Sequence, residues 1–241
     1  MNKFMTHSGK IARHIIQKVL LQNRYELLEP EAKEFIEAFG ISTTRYVVTV
    51  SPADAIQAAK SVGYPVVLKI VSPDISHKTD VGGVKLGIKD DEGVKVAYDE
   101  IIRNVKKRQP DARIDGILVQ EMATPSTEVI VGGLRDPQFG PAVMFGLGGI
   151  FVEVFKDVSF RIAPVDEYEA LDMIHGIKGA KVLKGFRNAE AADIPALAQI
   201  IVQVSDIMIS LEEIKEIDLN PVLVYPKGLK AVDARIILRQ L

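Results

Sequence analysis

The spacing of hydrophobic positions changes along the chain, and each change predicts an element. Within 1–28, IARHIIQKVLLQ is partly amphipathic at helical spacing, so a short helix that docks on something is expected ahead of the rest. PEAKEFIEAFG then sets Phe35, Ile36 and Phe39 on one helical face and stops at Gly40. TRYVVTV reads as a strand. Ser51, Pro52 and Asp54 supply a cap, a first-turn proline and an acidic first turn for the helix AIQAAKSV, which ends at Gly63. A buried strand follows, PVVLKIV at 65–71, then a polar loop, a second strand VKLGI at 84–88, and a helix through VAYDEIIRNVKKR. With short connections and one helix between two strands, this half reads as α/β.

The second half has another rhythm. ILVQEM (117–122), EVIVGG (128–133), PAVMFGLGGI (141–150) and DVSFRIAPV (157–165) are strands in a run. Helices follow through EYEALDMIHGI and IPALAQIIVQVSDIMISL, the second capped by Asp193 with Pro195 in its first turn. EIDLNPVLVY (216–225) and LKAVDARIIL (229–238) close the chain as a hairpin across Pro226–Gly228. Strands in runs, then helices, then a hairpin, read as α+β. A lobe boundary falls near 114–122, where no flexible linker marks it.

Composition narrows the picture. At 241 residues and 47% hydrophobic, the chain can bury a substantial core in one domain or two lobes. A formal net charge of −2 advertises no basic surface, so nucleic acid is not the expected partner. No apolar run approaches the ~20 residues that span a bilayer, and MNKFMTHSGKIARH has no apolar signal core. No membrane contact and a cytoplasmic location are expected. The absence of cysteine excludes disulfides, thiolate metal sites and cysteine nucleophiles.

Candidate chemistry begins at the closing hairpin. Glu216, Asp218 and Asn220 alternate with Ile217 and Leu219, so their oxygens share one strand face. If the chain turns tightly at Pro226–Lys227, Tyr225 pairs with Gly228, Asn220 lies opposite Asp233, and Asp218 lies opposite Arg235. Opposed residues have Cβ atoms about 4.5–5.5 Å apart. Asn220 and Asp233 can then share one hard cation, and magnesium suits so sparse an oxygen set. The alternative is a solvated strand face with an ordinary Asp218–Arg235 ion pair, and a longer turn would shift the register.

Other candidates are individually weaker. Lys69 interrupts an apolar strand; it neutralises phosphate, or it buries its stem and leads its amine to solvent. Gly82–Gly83 and the run Gly146, Gly148, Gly149 offer backbone without Cβ atoms, suited to phosphate or to plain tight turns. Neither matches a standard phosphate-loop or dinucleotide pattern. Gln120, Glu121 and Met122 end a strand and can present backbone to an adenine edge, with Glu128 in reach of ribose hydroxyls. His7, His14 and His175 are assigned to surface or packing. His77 differs, because Ser76, Lys78, Thr79 and Asp80 around it are all polar. No second histidine or cysteine stands at metal-ligand spacing, and no nucleophile elbow accompanies it. A general base, a phosphoryl acceptor and a plain surface histidine remain open.

Together these stretches resemble an ATP-grasp domain, and more narrowly the nucleotide-binding β subunit of ADP-forming acyl-CoA (acetate–CoA) synthetases, relatives of succinyl-CoA synthetase. The carriers are LLEPEAKEFIEAFGI, YPVVLKIVSPDISHKTDVGGVKLG, GILVQEM, GGLRDPQFGPAVMFGLGGIFVEVFKDVSFRIAP and EIDLNPVLV with AVDARI. SHKTDVGGV and the RDPQFGP to GLGGIFVE stretch are the most specific. The resemblance implies an N-terminal helical extension at 1–28, a first lobe at 29–116 with a phosphohistidine loop, a second lobe at 117–241 with a magnesium-binding hairpin, and a nucleotide site between the lobes. It implies that Lys69 and the glycines Gly82, Gly83, Gly148 and Gly149 contact phosphates, with Glu153 and Arg161 as further contacts there. Gln120, Glu121 and Met122 would form the adenine hinge, Glu128 would hold ribose, and Asn220 and Asp233 would bind Mg2+. His77 would carry the phosphoryl group on a mobile loop whose glycines let it hinge, and Asp218 would orient the histidine ring or stabilise its charge. Members of the family convert acyl-CoA, ADP and phosphate into acid, CoA and ATP, reversibly. An α subunit supplies the acyl and CoA chemistry, as an α2β2 heterotetramer. Three rivals stand beside this expectation: an autonomous ATP-grasp carboxylate ligase, a regulatory nucleotide-binding module of a protein acyltransferase, and a plain interaction domain.

Overall fold

The apolar run after Pro65 becomes β2 (Val66–Val71), and the run after Asp115 becomes β4 (Gly116–Glu121); every residue of both strands is buried. Such strands belong at the centre of a sheet. They pair antiparallel, Val67 opposite Gln120 and Lys69 opposite Leu118. β1 (Tyr46–Thr49) and β3 (Val84–Ile88) form the edges, in the order β1-β4-β2-β3. Helix α3 (Pro52–Val62) starts where expected: Ser51 Oγ accepts from the Asp54 N–H at 3.1 Å. Asp90 caps α4 (Asp91–Arg108) in the same way, accepting from the Gly93 N–H at 2.8 Å. Ala55, Ala59, Val94, Ile101 and Val105 of these helices share a core with Val66, Leu68, Ile70, Ile117 and Val119 of the sheet.

These elements make up one of two units in the computed structural model, which describes residues 3–149, 156–185 and 190–240. The smaller unit is Thr44–Thr124, and the larger joins Met1–Thr43 to Pro125–Leu241. This partition differs from the expected division at 28/29 and 116/117. β4 pairs on both sides with strands of the smaller unit, so the chain leaves that unit only after it.

The larger unit holds a 6-stranded sheet ordered β10-β8-β5-β6-β7, with β9 paired to β8. Its strands are β5 (Thr127–Asp136), β6 (Gly140–Leu147), β7 (Val158–Ile162), β8 (Ile214–Val224), β9 (Leu229–Ala231) and β10 (Arg235–Leu238). Alternation directs Val129, Val131, Val143, Phe145, Ile217 and Ile236 into one core, where α5 (Glu167–Gly176) and α6 (Ile194–Ser210) add Met173, Ile201 and Val204. Helix α1 (Lys3–Leu21) also docks there through Ala12, Ile15, Ile16 and Val19, beside Phe35 and Ile36 of α2 (Glu29–Ala38). The partner expected for the N-terminal helix is thus this unit's own core. After α1, the Leu27 N–H donates to Ile236 O at 3.0 Å and the Leu238 N–H to Tyr25 O at 2.7 Å, so residues 25–27 line β10. No helix among the described residues is long and apolar enough to cross a membrane.

Candidate active site

The candidates divide between the units: Lys69, His77, Gly82, Gly83, Gln120, Glu121 and Met122 on the smaller, and the remainder on the larger.

His77 stands exposed in the loop between β2 and β3. Ile75 and Val81, on either side of it, are buried at 5% and 6% exposure and anchor the loop. Two turns close its base: the Gly82 N–H donates to Thr79 O at 3.0 Å and the Gly83 N–H to Lys78 O at 2.7 Å. Asn104 Nδ2 reaches Gly82 O at 3.4 Å, and Arg108 donates to Asp80 O. The glycines serve the packing of the loop. Gly82 has φ +67°, which favours glycine. A Cβ on Gly83 would stand 2.6 Å from Ile70 Cγ2 and 2.9 Å from Lys78 O. Their N–H groups are committed to the loop itself, and the pair lets a polar segment fold back tightly over β2.

On β2 and β4, alternation puts Lys69 and Gln120 on the face opposite the helices, two positions apart in register. Both are buried, at 6% and 1% exposure. Glu121 belongs with Val66 on the other face. Its carboxylate accepts from Arg45, from the backbone N–H at 3.1 Å and from Nε at 2.9 Å. The Glu121 N–H donates to Arg45 O and the Met122 N–H to Pro65 O. These two N–H groups are thus used within the sheet. Arg45 was not a candidate, because only strand pairing brings it beside Glu121.

In the larger unit, Glu128 is the second residue of β5, beside Gly148 and Gly149. The Gly148 N–H donates to Glu128 O at 2.8 Å. A Cβ on Gly148 would stand 2.9 Å from Glu128 Cβ, and one on Gly149 would stand 4.0 Å from Oε2. The fold thus gathers the proposed ribose ligand and these glycines. Arg161, on β7, donates to Phe160 O at 2.8 Å and is ion-paired to Asp172 of α5. Glu153 lies outside the described residues.

The closing hairpin has the expected register. Tyr225 bonds Gly228, Val224 faces Leu229, and Asp218 faces Arg235. Asn220 and Asp233 fall opposite each other by the same count, between the two ladders. Asn220 is exposed and Asp233 half-buried, its Oδ1 accepting from the Ala234 N–H at 2.9 Å. The Asp218–Arg235 ion pair of the alternative reading is not formed: Arg235 Nε donates to Glu26 Oε1 at 2.9 Å, and Nη1 lies 3.8 Å from Glu216 Oε1. Asp218 Oδ1 is buried without a hydrogen-bond partner. Burial, and secondarily the Glu216 carboxylate, pushes the Asp218 carboxyl above its ordinary range. Among the described residues no group of three or more histidine, aspartate and glutamate side chains gathers to hold a metal. Asn220 and Asp233 are a two-residue oxygen set. Glu26, by contrast, gave no signal in sequence, since 209 positions separate it from Arg235.

Residues 18–238 match the family model described as an ATP-grasp domain. The β subunit of acetate–CoA ligase [ADP-forming] I from Pyrococcus furiosus is 50% identical over 94% of this chain and 97% of its own. A solved structure of Ca. Korarchaeum cryptofilum dinucleotide forming acetyl-coenzyme A synthetase 1, with coenzyme A and Ca-AMPCP, is similar with TM-score 0.92 and 53% identity, over 95% of this chain and 100% of that one. Another structure of the same synthetase, with coenzyme A and Mg-AMPPCP and its phosphohistidine segment pointing towards the nucleotide binding site, has TM-score 0.84 and 50% identity, over 95% of this chain and 100% of that one. The hairpin, the pinned histidine loop and these likenesses agree: this chain belongs to the ATP-grasp family, among the β subunits of ADP-forming acetate–CoA ligases.

Proposed function

We propose that this chain is the nucleotide-binding subunit of an ADP-forming acyl-CoA synthetase and that His77 carries the phosphoryl group to ADP, reversibly. With its α subunit the enzyme would turn acetyl-CoA, ADP and phosphate into acetate, ATP and CoA. The observation that carries the reading is an exposed histidine on a polar loop pinned at both flanks. An imidazole so presented meets water or a second protein surface, which a phosphoryl carrier must do.

An imidazole nitrogen of His77 attacks the phosphorus of an acyl phosphate formed on the α subunit; the N–P bond forms as the acyl O–P bond breaks and the carboxylate leaves. A terminal oxygen of ADP then attacks the phosphorus, and the N–P bond breaks to regenerate the imidazole. The transferring group needs in-line positioning and charge neutralisation more than covalent help. The Lys69 ammonium neutralises phosphate oxygens, and Gln120, Glu121 and Met122 border the base. Glu128 holds ribose, with Gly148 and Gly149 beside it. Arg161 would have to leave Asp172 to add its charge. Asp218 would orient the histidine ring or stabilise its charge. Asn220 and Asp233 suit Mg2+, which would draw its other oxygens from water and phosphate and neutralise phosphate charge when bound. An α2β2 assembly and a cytoplasmic location go with this reading.

The test is transfer from γ-labelled ATP and Mg2+ to the chain, with and without its α partner. Acid-labile, base-stable label on His77 is expected, and His77→Ala should abolish both the label and ATP formation. Near-normal ATP formation by the assembled His77→Ala enzyme would overturn the carrier role, and steady turnover without an α subunit would favour an autonomous ligase.

A further inference from the structure

The histidine loop takes its last hydrogen bonds from a helix. Within the loop, the carbonyls of His77, Lys78 and Thr79 accept from the N–H groups of Asp80, Gly83 and Gly82 at 3.2, 2.7 and 3.0 Å, and Gly83 O accepts from the Ile70 N–H of β2 at 2.8 Å. The carbonyls of Asp80 and Gly82 take side-chain donors from α4 instead: Arg108 Nη1 donates to Asp80 O, and Asn104 Nδ2 to Gly82 O at 3.4 Å. The two donors stand four residues apart, so one helical face presents both. That face is held steady by the helix's other side, where Val94, Ile101 and Val105 are fully buried in the smaller unit's core. The Asn104 amide lies close against the loop: a Cβ on Gly82 would stand 2.9 Å from its Nδ2 and 3.4 Å from its Cγ. An arginine in the last turn of a helix ordinarily faces its own free carbonyls or solvent. Arg108 ends α4 and turns to the loop. All of these residues belong to the smaller unit.

We propose that Asn104 and Arg108 form a bracket on α4 that fixes the exit of the histidine loop and so sets where His77 stands. Both are then positioning residues for phosphoryl transfer. The proposal rests on the carrier role given to His77 above. Its physical basis is preorganisation. His77 is exposed, and its side chain is placed only by the backbone beneath it. Each residue of that backbone left unordered must be ordered again before an imidazole nitrogen can come in line with phosphorus. The turns inside the loop fold it back on itself, and the two donors of α4 tie the folded loop to a packed helix. A loop that keeps its turns and loses the bracket still exists, but its histidine is no longer held in one place.

The experiment measures single-turnover labelling of His77 from γ-labelled ATP in the assembled α–β enzyme, together with the nucleotide KM and amide hydrogen exchange at Gly82 and Gly83. Arg108→Met removes one donor. Asn104→Asp removes the other while keeping the side chain's shape. Each should slow labelling by about tenfold or more while the KM stays within about twofold. Exchange at the two glycines should quicken by about tenfold in both. Arg108→Lys keeps a donor and should label within about threefold of the native rate, a rescue that depends on the hydrogen bond and not on the guanidinium's shape. Asn104→Ala supplies the second test if Asn104→Asp does not assemble. Labelling at the native rate in either loss variant, or Arg108→Lys as slow as Arg108→Met, overturns the bracket. The two levels fail separately. If the native enzyme places no label on His77, the carrier role fails and the bracket's part in transfer with it; if His77 is labelled and the loss variants keep the native rate, the bracket alone fails.

Discussion

Gly83 shows how little room the histidine loop has at its base. A methyl group there would meet Ile70 Cγ2 at 2.6 Å and Lys78 O at 2.9 Å. Overpacking of this kind costs about 1–3 kcal/mol, so Gly83→Ala should lower the unfolding free energy measured in urea by about that amount. Protease cleavage near His77 should rise in parallel. Neither change is expected of a glycine serving only as a loose hinge. The sequence made the pair conspicuous without showing its purpose, because a glycine required by close packing and one required by a phosphate are written with the same letter. The same holds for Glu121: its place at a strand end was legible, and its partner Arg45 depended on which strands pair.

At the scale of elements, Asp193 joins a helix to the hairpin. Its carboxylate caps α6 through the Ala196 N–H at 3.1 Å and accepts from the Gly228 N–H at 2.7 Å in the β8–β9 turn. Asp193→Ala should destabilise by about 1 kcal/mol, as loss of a cap does. The Gly228 and then the Ala196 hydrogen bond hold its carboxyl below the ordinary value of 3.8. A depressed folded pKa contributes stability above the unfolded value, and that stability is lost as pH falls through the folded value. The advantage of the native chain over Asp193→Asn should therefore be full near neutrality and shrink as urea unfolding is followed below about pH 4. The cap and the hairpin register were both readable from sequence, since each is set by residues a few positions apart. Their linkage was not.

For the whole molecule, the two units divide the chain in a way that local pattern does not show. Ala12, Ile15, Ile16, Val19 and Leu27 are all buried in the larger unit's core. Each branched side chain of this kind contributes about 1.5–3 kcal/mol on burial. With four such side chains lost, removing residues 1–28 costs about 6–12 kcal/mol, against a typical net stability of about 5–15 kcal/mol. The truncated chain should lose the cooperative melt of the larger unit. The smaller unit has its own core of α3, α4 and central strands, and the fragment 44–124 should still unfold cooperatively by circular dichroism. Equal stability of the truncated and full chains would show that α1 adds nothing to the larger unit's core.

By itself the sequence determined the elements, the turn and register of the closing hairpin, the isolation of His77 in a polar loop and the shared strand face of Glu216, Asp218 and Asn220. These depend on side-chain periodicity and short-range steric rules, which a few neighbouring letters carry. Only the tertiary structure decided that β4 completes the smaller unit's sheet, that α1 closes the larger unit's core and that the glycine pair packs against Ile70. It also decided that Arg235 pairs with Glu26. Each of these is a competition among partners distant along the chain, and its winner is fixed by the surface the folded chain buries and the hydrogen bonds it leaves to be made.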